Sequence, residues 1–508
     1  MSSEKRKIEV MDTTLRDGEQ TPGVSFNAKE KLAIAKMLLE DLKVDRIEVA
    51  SARVSESEKE SITNLCNWAK KTNNLKKIEV LGFIDKGRSV DWIDDTGAKT
   101  INILAKGSLK HLTVQLKKTP DQHMKDIIET IDYAKEKGIS SNIYLEDWSN
   151  GMKTDKDYIY LLLDNIKNKK TLKRIMLPDT LGILLPSEVK EFIEDLTKRY
   201  PDTHFDFHAH NDYGVATANS ITAAEAGANG IHLTINSLGE RAGNTSLCDF
   251  IIALRDLTKD LDTRIDETYL KPISDILSNF SGKKLPSNKP IVGDDVFTQT
   301  AGIHADGDKK GNLYTNKINP KRFGREREYA LGKLSGMSSL DMNLKQLGIT
   351  LSDNDKKQVF KKVIELGDKK RRITTSDLPF IIADVLETEN TQKIKITDLD
   401  ISISLDRKQN ASFTLKYNKK TIKTSAIGNG GYDAFMNALK KVAKELDIKL
   451  PKLVDYEVTI PPGGKPDSLV ETIIVWEKDS KTFKTIGVNS DQILAAIEAT
   501  EKMLNLVL

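Results

Sequence analysis

Val10-Met11-Asp12-Thr13-Thr14-Leu15-Arg16-Asp17-Gly18-Glu19-Gln20 follows a short alternating apolar run, Ile8 and Val10, and reads as a first β-strand opening into a loop. The loop sets a permanently charged guanidinium beside a carboxylate. Asp17 suits a hard or borderline cation, and Arg16 suits a developing oxyanion. A plain structural ion pair uses the same two residues. The meaning of the pair therefore depends on what else the fold brings to this strand end.

From Lys7 to about residue 236, short β-rich runs alternate with longer helical stretches. The strand candidates are Ile8–Asp12, Arg46–Ala50, Lys77–Phe83, Thr100–Leu104, Ser141–Leu145, Arg174–Leu177, His204–His208 and Gly230–Ile235. The stretch Lys31–Leu42 shows the intervening pattern, with Leu32, Ile34, Ala35, Leu38 and Leu39 at helical spacing beside Lys and Glu. Such a run of βα units predicts an α/β fold, a (β/α)₈ TIM barrel, with a doubly wound sheet as the alternative. Barrel chemistry belongs at the C-terminal strand ends, where Arg16-Asp17 sits.

His208-Ala209-His210-Asn211-Asp212 ends the seventh strand. Residues i and i+2 of a strand share a face, so both imidazoles can converge on one ion. The chain has 7 histidines, and two of them stand here. Gly239-Glu240-Arg241-Ala242-Gly243-Asn244 follows strand eight at the same rim and offers the Asn244 amide oxygen. One carboxylate, two imidazoles and an amide leave room for substrate oxygens, and the mix favours Mn²⁺ first, with Mg²⁺ or Zn²⁺ possible.

The 508 residues allow two or three domains, 38% hydrophobic and 30% charged content marks a soluble globular chain, and a net charge of +3 points to no nucleic-acid or membrane surface. Cys66 and Cys248 are too few for a disulfide framework and suit a reducing compartment. No signal core follows Met1 and no run reaches membrane-spanning length, so the expected location is cytoplasmic.

Three domains are expected: a barrel with its linker over 1–325, a helical connector over 326–392, and a C-terminal α+β regulatory domain over 393–508. In the connector, Ser352 precedes the periodic Val359, Phe360, Val363 and Ile364, and Ser376-Asp377 caps a helix with Pro379 in its first turn. From Ile394 the period becomes two, through Ile396, Ile401, Ile403 and Leu405, then Phe413–Tyr417 and Thr421–Ala426. A helix follows with Phe435, Ala438, Leu439, Val442 and Leu446 on one face. The order then repeats as Val454–Ile460, Leu469–Trp476, Thr482–Ile486 and a helix from Asp491 capped by Ser490. Two copies of βββα suit a ligand bound between halves.

Taken together, T-L-R-D-G-E-Q, H-A-H-N-D and G-E-R-A-G-N resemble the DRE-TIM metallolyase superfamily. Within it the chain is similar to the Claisen-condensing 2-isopropylmalate, homocitrate and citramalate synthases, along nearly its whole length. The resemblance implies that acetyl-CoA is joined to a 2-oxo acid and that thioester hydrolysis releases CoA. It implies a metal held by Asp17, His208, His210 and Asn244, with Arg16 facing the alkoxide and Glu48, at the end of strand two, orienting Arg16. Glu146 would be an acid/base group and Thr180 would bind the substrate carboxylate. His304 and Tyr314 would act in trans across a homodimer.

Leu81, Leu104 and Tyr144 resemble the small apolar pocket of bacterial citramalate synthases, which implies pyruvate as substrate. The alternative is 2-oxoisovalerate, as in isopropylmalate synthases, but Gln299-Thr300-Ala301-Gly302 and Ala50-Ser51-Ala52-Arg53 depart from leucine-pathway relatives. In the C-terminal domain, Gly428-Asn429-Gly430-Gly431 joins a strand to a helix N-terminus that suits a carboxylate. There Tyr432, Asp433, Leu453, Tyr456, Ile460 and Val470 would take an end-product amino acid as feedback inhibitor: isoleucine, or leucine in the alternative. Gly332-Lys333-Leu334-Ser335-Gly336 lacks P-loop spacing.

Overall fold

The computed structural model describes residues 5–299, 307, 311, 313, 316–325, 327–333, 335–368, 373, 377–386, 393–404, 407–417, 420–459, 470–478 and 481–507. The chain divides into two compact units, Met1–Phe297 with Asn316–Glu326, and Thr298–Thr315 with Arg327–Leu508.

The first unit is a closed parallel barrel. Its strands are β1 (Glu9–Asp12), β2 (Arg46–Ser51), β3 (Ile78–Phe83), β4 (Thr100–Lys106), β5 (Ser140–Glu146), β6 (Leu172–Asp179), β7 (Phe205–Ala209) and β8 (Gly230–Leu233). All eight strand expectations are met, and β8 closes on β1 with Met11 opposite His232. Helices follow the strands, among them Ala28–Lys36, Glu56–Lys71, Pro120–Glu136 and Pro186–Arg199. Asn27 and Thr119 open two of them with reciprocal capping boxes to Glu30 and Gln122.

Alternation gives the barrel wall two different faces. Val10, Ile47, Val49, Val80, Ile101, Ile143, Leu145, Ile175, Phe207 and Ile231 belong to one apolar core shared with the helices. Met11, Leu81, Tyr144 and Met176, with Leu104 against them, form a separate cluster inside the barrel. The rest of the interior is polar: Arg46, Glu48, Glu79, Asn102, Asn142, Asp206 and His232 are buried. Arg46 donates to Glu79 at 3.0 Å and to Asp206 at 2.6 Å. Glu48 is not at a strand end as expected. β2 runs on to Ser51, and Glu48 lies within it, wholly buried.

The second unit contains a small helical core, with Met337–Gln346, Asp353–Asp368 and Leu378–Leu386 around Leu340, Leu344, Val359, Val363 and Leu378. Beyond it lie two three-stranded antiparallel sheets, β9 (Ile394–Ser402), β10 (Gln409–Tyr417) and β11 (Lys420–Gly428), then β12 (Lys452–Thr459), β13 (Val470–Lys478) and β14 (Lys481–Asn489). Each sheet is followed by a helix, Gly431–Glu445 and Gln492–Val507. β10, β11 and the first helix residue are each repeated 61 residues later, as Gln409 to Val470, Lys420 to Lys481 and Gly431 to Gln492. One core joins both halves through Phe413, Phe435, Leu439, Ile474, Trp476 and Met503. The second helix is capped by Asp491, whose carboxylate accepts from the amides of Ile493 and Leu494, and not by Ser490.

Buried histidine makes the stability of the first unit sensitive to acid. His123, on the helix after β4, is 1% exposed, and its Nε2 accepts the Lys106 amide at 3.0 Å. Burial, aided by the nearby Lys118 cation, lowers its pKa to about 4. Below the ordinary value of 6.5 the unfolded chain takes up a proton that the folded chain refuses. This stabilisation is therefore present above pH 6.5 and is lost as pH falls toward 4. Its full loss amounts to roughly 3 kcal/mol. Urea titrations across that window should show a steeper fall in midpoint for the wild type than for His123→Gln, and parallel slopes would contradict the assignment.

Candidate active site

Three of the other expected residues, Asp17, Glu48 and Tyr144, meet around Arg16 at the C-terminal end of the barrel. The guanidinium is 10% exposed and donates through Nε to Glu48 at 2.5 Å. Its other nitrogens lie 3.5 Å from Asp17 and 3.4 Å from the Tyr144 hydroxyl. Glu48 also accepts from Thr13 Oγ1 at 2.9 Å and from Asn102 Nδ2 at 2.8 Å. Burial alone would raise the Glu48 carboxyl, but Arg16 and Asn102 outweigh it and keep the group ionised. Lys31 fastens the loop from outside. Its buried ammonium is 2.6 Å from Glu19 and also pairs with Glu58 of the next helix.

Asp17, His208 and His210 form a cluster able to hold a metal ion. Asp17 Oδ2 lies 3.2 Å from His208 Nε2 and 3.9 Å from His210 Nε2, and the two ring nitrogens are 3.4 Å apart. Donors about 2.1 Å from a shared ion sit about 3.0 Å apart at right angles and about 4.2 Å apart when opposite. All three separations fall in that interval. Asn244 Nδ2 donates to Asp17 Oδ2 at 2.8 Å. Asp17 Oδ1 and Asn244 Oδ1 are buried and accept no hydrogen bond among the described residues. Unmet oxygens beside two imidazoles are the donor set of a divalent cation site.

The charge states agree. Burial would raise Asp17, yet Arg16 and the two imidazoles hold its carboxyl well below the usual range. Burial brings His210 down to about 4, helped by His208 beside it, and lowers His208 against the pull of Asp17. Both rings are then neutral near pH 7, with lone pairs available, as metal binding requires. Gly243 makes the Asn244 loop possible. Its φ is +82°, and a Cβ there would lie 1.8 Å from the Ser237 carbonyl oxygen. Cys248 stands apart as a buried thiol pushed up to about 12.

Substrate-side expectations also occupy this end of the barrel. Leu81, Leu104 and Tyr144 share one cluster, joined by Met11 and Met176, which sequence reading passed over because methionines in strands look like ordinary core. Glu146 ends β5 and pairs with the Lys106 ammonium on the facing position of β4. The alternation Leu104-Lys106 against Tyr144-Glu146 was the available signal for Lys106. Thr180 Oγ1 accepts the Asp147 amide at 2.9 Å, and its carbonyl accepts from Arg241 at 2.8 Å. Arg241 in turn clamps Asp212 through two hydrogen bonds. His304 and Tyr314 lie outside the described residues.

In the second unit, Tyr432 bonds Thr500 Oγ1 at 2.7 Å and its ring meets Tyr456 at 5.2 Å between centroids. Asp433 accepts the Asn429 amide at 2.8 Å. Val470 is buried, Leu453 is 37% exposed, and Ile460 lies outside the described residues. Gly428 and Gly431 are closed off by Ala434 and Ile493 of the same unit.

Loss of one imidazole should separate metal binding from folding. His210→Ala should keep the far-ultraviolet circular dichroism of the wild type and lose calorimetrically detectable Mn²⁺ binding. Undiminished Mn²⁺ affinity would remove His210 from the site.

Comparison with known proteins agrees with this architecture. Residues 7–277 match the HMGL-like family, 291–371 the homocitrate synthase post-HMGL domain-like family, and 372–508 the LeuA allosteric (dimerisation) domain. An (R)-citramalate synthase of Methanocaldococcus jannaschii is 34% identical, covering 99% of this chain and 99% of its own. A 2-isopropylmalate synthase of the same organism is 33% identical over 99% of this chain and 95% of its own. These relatives are archaeal, although the pocket residues alone resemble bacterial enzymes. Among the described residues, no helix is long and apolar enough to cross a membrane. A barrel matching over 7–277, with relatives aligned along nearly the whole chain, makes this protein a member of the HMGL-like, DRE-TIM family that carries a LeuA allosteric (dimerisation) domain.

Proposed function

We propose that the chain is an (R)-citramalate synthase, condensing acetyl-CoA with pyruvate and hydrolysing the thioester to release citramalate and CoA. The observation that carries this reading is the apolar cluster of Leu81, Leu104, Tyr144, Met11 and Met176 beside Arg16 and the Asp-His-His cluster. A wall that includes a buried tyrosine leaves space for a methyl group sooner than for an isopropyl group. The full-length similarity to an (R)-citramalate synthase supports it. The similar 2-isopropylmalate synthase keeps 2-oxoisovalerate as the second reading.

Asp17, His208, His210 and Asn244 would hold the divalent cation, Mn²⁺ on the donor set, with Mg²⁺ or Zn²⁺ as alternatives. When bound, it supplies Lewis acidity toward the 2-oxo acid. Arg16 is fixed by Glu48 through Nε, which leaves guanidinium hydrogens for the alkoxide that develops on the ketone oxygen. Thr180 would bind the substrate carboxylate. Glu146, set against Lys106, would serve as an acid/base group. His304 and Tyr314 of the partner subunit would complete the site in a homodimer, with His304 taking the acetyl proton. The connector over 326–392 would join the barrel to the regulatory domain over 393–508.

CoA release measured with pyruvate and with 2-oxoisovalerate decides between the two readings. Pyruvate should give the higher kcat/KM, and Tyr144→Ala should shift the ratio toward 2-oxoisovalerate in a graded way, since each methylene is worth about 1–3 kcal/mol. A wild type that prefers 2-oxoisovalerate would transfer the assignment to the second reading.

Feedback should follow the same pathway logic. Tyr432, Asp433, Leu453, Tyr456, Ile460 and Val470 would surround the effector, and isoleucine should inhibit more strongly than leucine in parallel titrations of the intact enzyme. Stronger inhibition by leucine would contradict the pyruvate assignment.

A further inference from the structure

His232 stands beside the site, outside its set of metal donors. It lies on β8, is 1% exposed, and faces His208 across the β7–β8 pairing. Its Nε2 is 3.1 Å from Asp206 Oδ2, and its Nδ1 is 3.1 Å from the Tyr144 hydroxyl. Asp206 is itself wholly buried and receives Arg46 at 2.6 Å on the same oxygen. The His232 ring meets the Tyr144 ring edge to face at 5.5 Å. Gly230 gives independent support that this pair is built into the barrel. A Cβ there would lie 2.2 Å from Asp206 Oδ1, so only glycine lets the carboxylate reach up against β8.

The hydrogen bonds have one consistent direction. Asp206 is held ionised by Arg46 and can only accept, so the His232 proton sits on Nε2. Nδ1 is then an acceptor. Tyr144 has one hydroxyl proton and two acceptors in reach, His232 Nδ1 at 3.1 Å and Glu48 Oε2 at 3.4 Å. The shorter contact takes it, which turns the phenol oxygen lone pairs toward Arg16. The tip of the Tyr144 ring is thereby tied downward into the barrel. A ring held at its tip cannot swing away from a larger substituent.

We propose that His232, oriented by Asp206, is a specificity-determining positioning residue: it fixes Tyr144 as the wall that limits the size of the 2-oxo acid. The inference rests on the pyruvate reading above and adds a residue that does not touch substrate. Burying an Arg-Asp pair and a histidine where aliphatic side chains would fill a barrel is poor economy for stability. It is explained if exact placement of Tyr144 is what the group maintains.

The test is a double-mutant cycle on selectivity. His232→Phe keeps a ring and removes the acceptor; Tyr144→Phe keeps the ring and removes the proton. Each should lower the pyruvate to 2-oxoisovalerate ratio of kcat/KM by roughly tenfold, and the double variant by no more than either alone. An unchanged ratio in His232→Phe, or multiplying losses in the double variant, overturns the proposal. His232→Asn, which can keep an acceptor near Nδ1, should retain most of the wild-type ratio; loss equal to that of His232→Phe counts against it. Should His232→Phe not fold, ¹⁵N NMR of the histidines decides without it. Wild-type His232 should show the Nε2–H tautomer, and its Nδ1 resonance should move in Tyr144→Phe; an unmoved Nδ1 resonance overturns the proposal. A wild type that prefers 2-oxoisovalerate defeats the functional reading alone, because the cycle and the Nδ1 resonance still report the coupling.

Discussion

Glu48 carries a full negative charge with none of its side chain in water, and the rim is arranged to meet it. A carboxylate in that position is tolerable only if its lone pairs are filled by good donors. Thr13 comes from the end of β1, Asn102 from β4 and Arg16 from the first rim loop. Each donor belongs to a different part of the wall, so satisfying one charge sets the relative position of three segments. Arg16 is the donor with charge to spare. It offsets Glu48 on one side and depresses Asp17 on the other, which keeps the Asp17 carboxylate ionised beside His208 and His210. The electrostatics of the cluster thus begin at a residue that is not one of its donors.

The outward half of the barrel was legible because β-strands that face helices must be apolar at alternate positions. Val10, Ile47, Val80, Ile103, Ile143 and Phe207 announce themselves that way. The rim motifs were legible because they combine chemically costly residues at strand ends. The inward half was not. Arg46, Glu79, Asp206 and His232 alternate with apolar residues, and the same pattern describes a strand with one face in water. Nothing in a single sequence separates a polar interior from solvent. Glu48 was misplaced to a strand end for that reason, and Lys106 was passed over. Near the C-terminus, Ser490 and Asp491 are both good capping residues, and only the geometry of the turn selects Asp491.

The regulatory unit shows how much a repeat can hide. From the second strand of each half onward the two halves share a backbone offset of 61 residues, yet Tyr432 and Asp433 correspond to Ile493 and Leu494. Alternation and turn spacing survive the duplication because they serve the sheets; the side chains at the helix starts do not. Tyr432 reaches Thr500 on the second helix, whereas Ile493 packs beside Gly431 of the first. The joint between halves is therefore asymmetric.

Tyr144 joins two demands that pull apart. As a member of a buried apolar cluster it must present an apolar face, and as a buried phenol it must hydrogen-bond. The structure meets both by placing the ring among Leu81, Leu104, Met11 and Met176 and the hydroxyl among Arg16, Glu48 and His232. Packing alone discriminates weakly between neighbouring homologues of a substrate, because an extra methylene can be absorbed by small movements of flexible side chains. Methionine and leucine walls give way easily. A phenol bonded at its tip to fixed charges does not. On the pyruvate reading proposed above, the polar stack from Arg46 through Asp206 and His232 would give a soft pocket one hard side, turned toward the substituent by which pyruvate and 2-oxoisovalerate differ.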